Sequence, residues 1–119
     1  MPKFVLMLPH ARDRYENLPE AEFMDLMKDY IGWVEEMSAN GKYVGGEKLL
    51  ADSGKVVTNK SGSIEVHDGP FAETAEILGG FMVIDAGDYD EAVNIARSHP
   101  HMKHNETIII RQTDPAADD

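Results

Sequence analysis

The run HDGPFAET, His67 to Thr74, sets an imidazole beside a carboxylate and follows them with a Gly-Pro pair and a second acid. An imidazole that titrates near neutrality next to a carboxylate suits general acid and base work, a contribution of about 10² to 10⁴ in rate. His67 and Asp68 are therefore the candidate catalytic residues. Neighbours on a strand point to opposite faces, so the two side chains need not meet. Asp68 can instead bond backbone N–H groups of a turn that Gly69 and Pro70 shape. Glu73 and Thr74 form a polar pair after that turn, open to a ligand contact or to a solvated capping role.

Three further places carry residues capable of chemistry. His10 stands just after an apolar run, at a strand end where a site can open, and is a candidate ligand contact. Tyr30 and Trp33 lie on or beside the apolar stripe of a helix, where they serve the core or the wall of a pocket. SHPHMKH brings His99, His101 and His104 together. Zinc needs several ligands converging on one point, and histidines spaced around Pro100 converge only in an unusual loop, so no metal site is expected and the segment reads as a solvated loop.

The elements that would position these residues follow from periodicity. KFVLML, Lys3 to Leu8, is a short apolar run closed by Pro9 and reads as a strand buried on both faces. HARDRYENLPE is a polar connection that ends at Pro19, a proline suited to a helix start. From Glu20 to Ala39 the apolar positions Phe23, Leu26, Met27, Tyr30, Val34 and Met37 recur every three or four residues, with acids and lysine on the other side. At about 1.5 Å per residue this helix runs roughly 30 Å, and Asn40-Gly41 ends it. KYVGGEKLL reads as a strand with an irregular middle at its Gly-Gly pair. KVVT and SIEV, separated by NKSG, form a hairpin. ILGGFMVIDA is a long strand whose Gly79 and Gly80 mark a bulge or a close approach. DYDEAVNIARSHP is an amphipathic helix with Asp88 as N-cap and Pro100 as its stop. NETIIIRQ is the last strand, and residues 113–119 form a loose acidic tail after a domain spanning residues 1–112.

Strand, long helix, strand, hairpin, strand, helix, strand is the order of a ferredoxin-like α+β sandwich, a βαβ-βαβ arrangement with an inserted β-hairpin. The strands are apolar on both faces while the helices cover one, so a second copy is the economical cover for the other. A chain of 119 residues with 42% hydrophobic content supports one such core. The formal charge of −11 repels phosphate backbones and anionic lipid, which argues against nucleic acid and membrane surfaces as partners. With no cysteine the chain has no disulfide or thiolate site, and the opening MPKFVLMLPH is too short for a signal segment or a membrane span, so a cytoplasmic location is the default.

DGPFAETAEILGGFMVIDAGDYDEA resembles the signature of the YCII-related family in its DGPF branch. Asp68 to Thr74 match the motif, Gly79, Gly80 and Phe81 fall in place, and so does Asp90 to Ala92. The resemblance extends over nearly the whole chain to about Gln112. It implies a dimeric α/β barrel of two ferredoxin-like protomers packed sheet to sheet. The chain departs from the pattern at His67, where threonine is common, at Ala75, where lysine is, and at Met82, where tyrosine is. Relatives pair an aspartate with a histidine on the first helix, and here Tyr30 holds the comparable position. What the resemblance and the residues together imply is a homodimer with a small-molecule site near the DGPF loop, needing no cofactor, for proton transfer of the isomerase or lyase kind. The alternative is a non-catalytic dimeric module that binds a ligand or a protein, linked to sigma-factor regulation.

Overall fold

The computed structural model describes residues 1–11, 18–69 and 76–118. Six strands and two helices follow the expected order: β1 (Lys3–Ala11), α1 (Glu20–Ala39), β2 (Tyr43–Lys48), β3 (Lys55–Lys60), β4 (Ser63–Asp68), β5 (Glu76–Asp85), α2 (Tyr89–Arg97) and β6 (Ile109–Gln112). A four-stranded sheet has the order β2-β5-β1-β6, and every neighbouring pair is antiparallel. With both helices as crossovers, this is the ferredoxin-like α+β sandwich. The hairpin β3-β4 is a separate two-stranded sheet inserted between the second and third strands of that sandwich.

One face of the sheet and the inner stripes of the helices make the core. Phe4, Leu6 and Leu8 of β1 and Met82 and Ile84 of β5 point inward, with Trp33 and Met37 of α1 and Ala92 and Ala96 of α2 packed over them. Alternation along β1 explains the pattern: even positions are buried, and odd ones are half-buried between the exposed ends Lys3 and Ala11. α1 keeps the boundaries its periodicity predicts. It ends through Asn40 at Gly41, whose φ of +70° lies in the left-handed region that glycine adopts freely. α2 starts at Asp88, whose carboxylate accepts the Glu91 N–H at 2.9 Å.

Three expectations change. β1 does not stop at Pro9 but runs on to Ala11, because the ladder slips between Met7 and Pro9 and a bulge absorbs the missing N–H. Pro100 does not merely end α2: it opens a 3-10 helix, Pro100–Lys103. The last strand begins at Ile109, and Thr113 N–H still bonds Lys3 O at 2.9 Å before a second 3-10 helix, Pro115–Asp118.

Candidate functional site

A cavity of about 330 Å³ opens between α1 and the sheet, in the size range of a small-ligand site. β1 supplies Leu8 and His10, and α1 supplies Met27, Tyr30, Ile31 and Val34. β5 adds Gly79, Gly80 and Met82, while Glu35, Glu47 and Lys48 stand among the exposed lining residues. The lining is mainly apolar, as a concave site for a compact molecule requires.

The bulge places the histidine. Met7 pairs with Phe81 and Pro9 with Leu78, so β5 spends two residues, Gly79 and Gly80, where β1 spends only Leu8. The extra residue resets the phase of β5, and His10, opposite Ile77, stays on the helix-facing side of the sheet. His10 is buried, and the Nε2–Cδ2 edge of its ring lies against Gly79: a Cβ there would stand 2.8 Å from Nε2 and closer still to Cδ2. Gly79 is thus glycine because the ring occupies the space of a side chain. Gly46 answers the same demand on β2, where a Cβ would meet Met82 Cα at 2.9 Å.

His101, on the 3-10 helix after α2, reaches the same cavity. Its Nε2 lies 3.0 Å from Pro9 O and its Nδ1 3.0 Å from Tyr30 Oη. One buried imidazole therefore ties the end of β1 to the middle of α1. His99 holds that arrangement in place. Its Nδ1 accepts the His101 N–H at 2.9 Å, and its ring meets Trp33 and Tyr30 edge to face at centroid distances of 4.6 and 5.0 Å. Trp33 in turn donates to Ser98 Oγ at 2.9 Å. Burial first, and the neighbouring His101 second, push the His99 imidazole down to about 4, so it is neutral at pH 7. With Nδ1 accepting, the proton sits on Nε2, which is buried without a hydrogen-bond partner among the described residues.

The structure sorts the sequence candidates into two groups. His10 and Tyr30 both line the cavity. His67 and Asp68 sit at the end of β4 on the hairpin and are not among its lining residues. Asp68 is exposed and ion-pairs with Lys55, its cross-strand partner, and His67 Nδ1 lies 3.3 Å from the backbone oxygen of Asp68. The two side chains are directed apart, as strand alternation requires. Glu73 and Thr74 lie outside the described residues.

His101 was not among the site residues read from sequence, and the solvated-loop reading of His99 and His101 is overturned: both are buried. A proline at the first position of a 3-10 helix folds the segment back under α1, and His99 caps it through a ring nitrogen in place of the usual hydroxyl or carboxylate. His104 is exposed. Among the described residues no three His, Cys, Asp or Glu side chains converge as metal ligands. No helix among them is long and apolar enough to cross a membrane.

Comparison with known proteins agrees with this architecture. The YCII-related domain family matches residues 3–113. An uncharacterized protein of Rhizobium meliloti is 51% identical over 39 residues, a stretch that makes up 33% of this chain and 32% of that protein. The fold is similar to that of a 5-chloro-2-hydroxyhydroquinone dehydrochlorinase (TftG) from Burkholderia phenoliruptrix, solved in complex with 2,5-dihydroxybenzoquinone. The TM-score is 0.53, with 17% identity over 94% of this chain and 93% of that one.

Proposed function

Because the chain belongs to the YCII-related family, we propose that it binds a compact small molecule in the cavity between α1 and the sheet and moves a proton there. The observation that carries this reading is the convergence of two imidazoles and a phenol, His10, His101 and Tyr30, on one mainly apolar cavity. His10 is the proton-transfer group. The Ala11 carbonyl, 2.7 Å from Nδ1, accepts the proton held there, and in the neutral ring Nε2 then carries the basic lone pair. Tyr30 orients the ligand. This is isomerase- or lyase-type chemistry, and the dehydrochlorinase of similar fold supports a small-molecule site in such a sandwich. β5 begins at Glu76, which pairs with Ala11 beside His10.

The test is a backbone-amide NMR titration of the full chain with resorcinol, a compact dihydroxy ring, followed in D2O by exchange of its ring C–H protons. Resonances of Leu8, His10, Gly79 and Met82 should shift, and His10→Gln should bind but lose the exchange. Shifts centred on His67 and Asp68 would move the site to the hairpin and overturn the assignment.

A homodimer is part of the same proposal. Val5, Met7, Phe81 and Val83 lie on the sheet face away from the helices and are only half-buried, while Ile109 is 45% exposed. A second copy packed on that face would complete their burial. The alternative of a protein-binding module draws on the hairpin, where Val57, Ile64 and Val66 are exposed on one face. Light scattering on the eluting peak tests the first, and capture of a specific partner that Val57→Asp abolishes would favour the second.

A further inference from the structure

His99 is the most enclosed of the three buried histidines, only 1% exposed, and it stands where α2 gives way to the 3-10 helix Pro100–Lys103. It holds that short helix twice: Nδ1 accepts the His101 N–H at 2.9 Å, and its backbone carbonyl accepts the Met102 N–H at 2.9 Å. Both the burial and the Nδ1 bond require a neutral ring. A proton on Nδ1 would turn the acceptor into a donor facing the His101 N–H, and it would place a cation in an interior that provides no counter-ion. The titratable groups packed against the ring are the Tyr30 phenol of α1 and the His101 imidazole, and His101 opposes the added charge. Among the described residues no carboxylate pairs with His99, while Asp29 of α1, Arg97 of α2 and Lys103 are exposed, with the Lys103–Asp29 contact of 3.5 Å at the surface.

We propose that Pro100–Lys103 is an acid-sensitive latch on the cavity: protonation of the His99 ring breaks its bond to the His101 N–H and releases the short helix, which carries His101 away from Tyr30 and Pro9. The segment is built to move as a piece. The Met102 N–H bonds His99 O, the His104 N–H bonds His101 O and the Glu106 N–H bonds His104 O, so these bonds stay within it and the four-stranded sheet is untouched when it swings. What the swing does break lies at the cavity, where His101 Nε2 is 3.0 Å from Pro9 O and Nδ1 is 3.0 Å from Tyr30 Oη. A side chain that lines the cavity is thereby made conditional on the charge of a residue that does not line it. The latch is a property of the cavity wall and stands whether or not a ligand binds there.

The test is hydrogen exchange of the backbone amides of the full chain, with no ligand, corrected for the intrinsic exchange rate at each pH. The His101 N–H reports the latch. The closed segment holds the ring at about 4 and the open one returns it to 6.5, so the protection of that amide should fall roughly 30-fold between pH 7.5 and 5. His99→Asn accepts the His101 N–H without titrating and should abolish the fall. Amides in the middle of β1 should stay more protected than His101 at every pH. A fall of less than about tenfold at His101 overturns the proposal. The same fall in folded His99→Asn also overturns it, by assigning the effect to another group such as His10 or His101. Equal protection at His101 and in β1 overturns it as well, because the ring would then be freed only when the whole chain unfolds. His99→Gln is a second non-titrating acceptor if His99→Asn does not fold, and the comparison with β1 needs no variant.

Discussion

Acidification should destabilise this protein through His99 by an amount the structure specifies. The folded imidazole is pushed from 6.5 to about 4 by burial and by His101, whereas in the unfolded chain it takes up a proton near 6.5. Above pH 7 the ring is neutral in both states and the group contributes no pH dependence. As the pH falls through 6.5 the unfolded state binds a proton that the folded state rejects, so stability declines, and the decline levels off near pH 4. A difference of about 2.5 pH units at roughly 1.36 kcal/mol each amounts to about 3 kcal/mol in full, of which about 2 kcal/mol is lost by pH 5. Protonation at Nδ1 would also take away the acceptor for the His101 N–H. The assay is urea unfolding at pH 7.5, 6, 5 and 4.5 for the native chain and for His99→Asn, whose side-chain oxygen can replace Nδ1 as the acceptor without titrating. Subtracting the two curves cancels the common titration of the acids. A native-minus-variant stability difference that falls by about 2 kcal/mol between pH 7.5 and 5 is the expected result. A difference flat to within about 0.5 kcal/mol would refute the claim that His99 is held neutral by burial.

Two other substitutions probe the site and the hairpin. Gly79→Ala puts a Cβ into the His10 ring and should cost about 1–3 kcal/mol in thermal or urea unfolding, with the His10 ring resonances displaced; an unchanged spectrum would show that the ring does not occupy that space. Asp68→Asn removes the carboxylate paired with Lys55, and because both side chains are 71% exposed the stability change should stay within about 1 kcal/mol, with resorcinol binding unaltered. A loss of binding in that variant would return the hairpin to the site.

The architecture is legible in the sequence because period decides it. The spacing of Phe23 to Met37 reads as a helix, the apolar runs of β1 and β5 read as strands, and NKSG between two β-prone runs predicts the hairpin, whose turn is tighter than that four-residue reading and sits at Ser61 and Gly62, both at positive φ. The site is only half legible. His10 and Tyr30 could be singled out from their places on a strand end and an apolar stripe. His101 could not, because its burial depends on a 3-10 helix folding beneath a helix some 70 residues earlier in the chain, and no local pattern encodes that meeting. The bulge was readable from the Gly-Gly pair as a kind of feature, but its purpose became visible only with the His10 ring lying over Gly79.

Leu49 N–H bonds Gly79 O, which closes the β2-β5 ladder at its far end. Strands so joined need only a short turn between them, yet the chain travels from Leu49 out through β3 and β4 before it returns at Glu76. None of that excursion's described residues belongs to the four-stranded sheet, so the length and sequence of the β3-β4 hairpin can change without altering which strands are neighbours. The scaffold that holds His10 and Tyr30 and the hairpin that carries His67 and Asp68 are in this sense separable modules. Grafting a different hairpin between Leu49 and Glu76 would be a way to give the same sandwich a new partner while its cavity stays as it is.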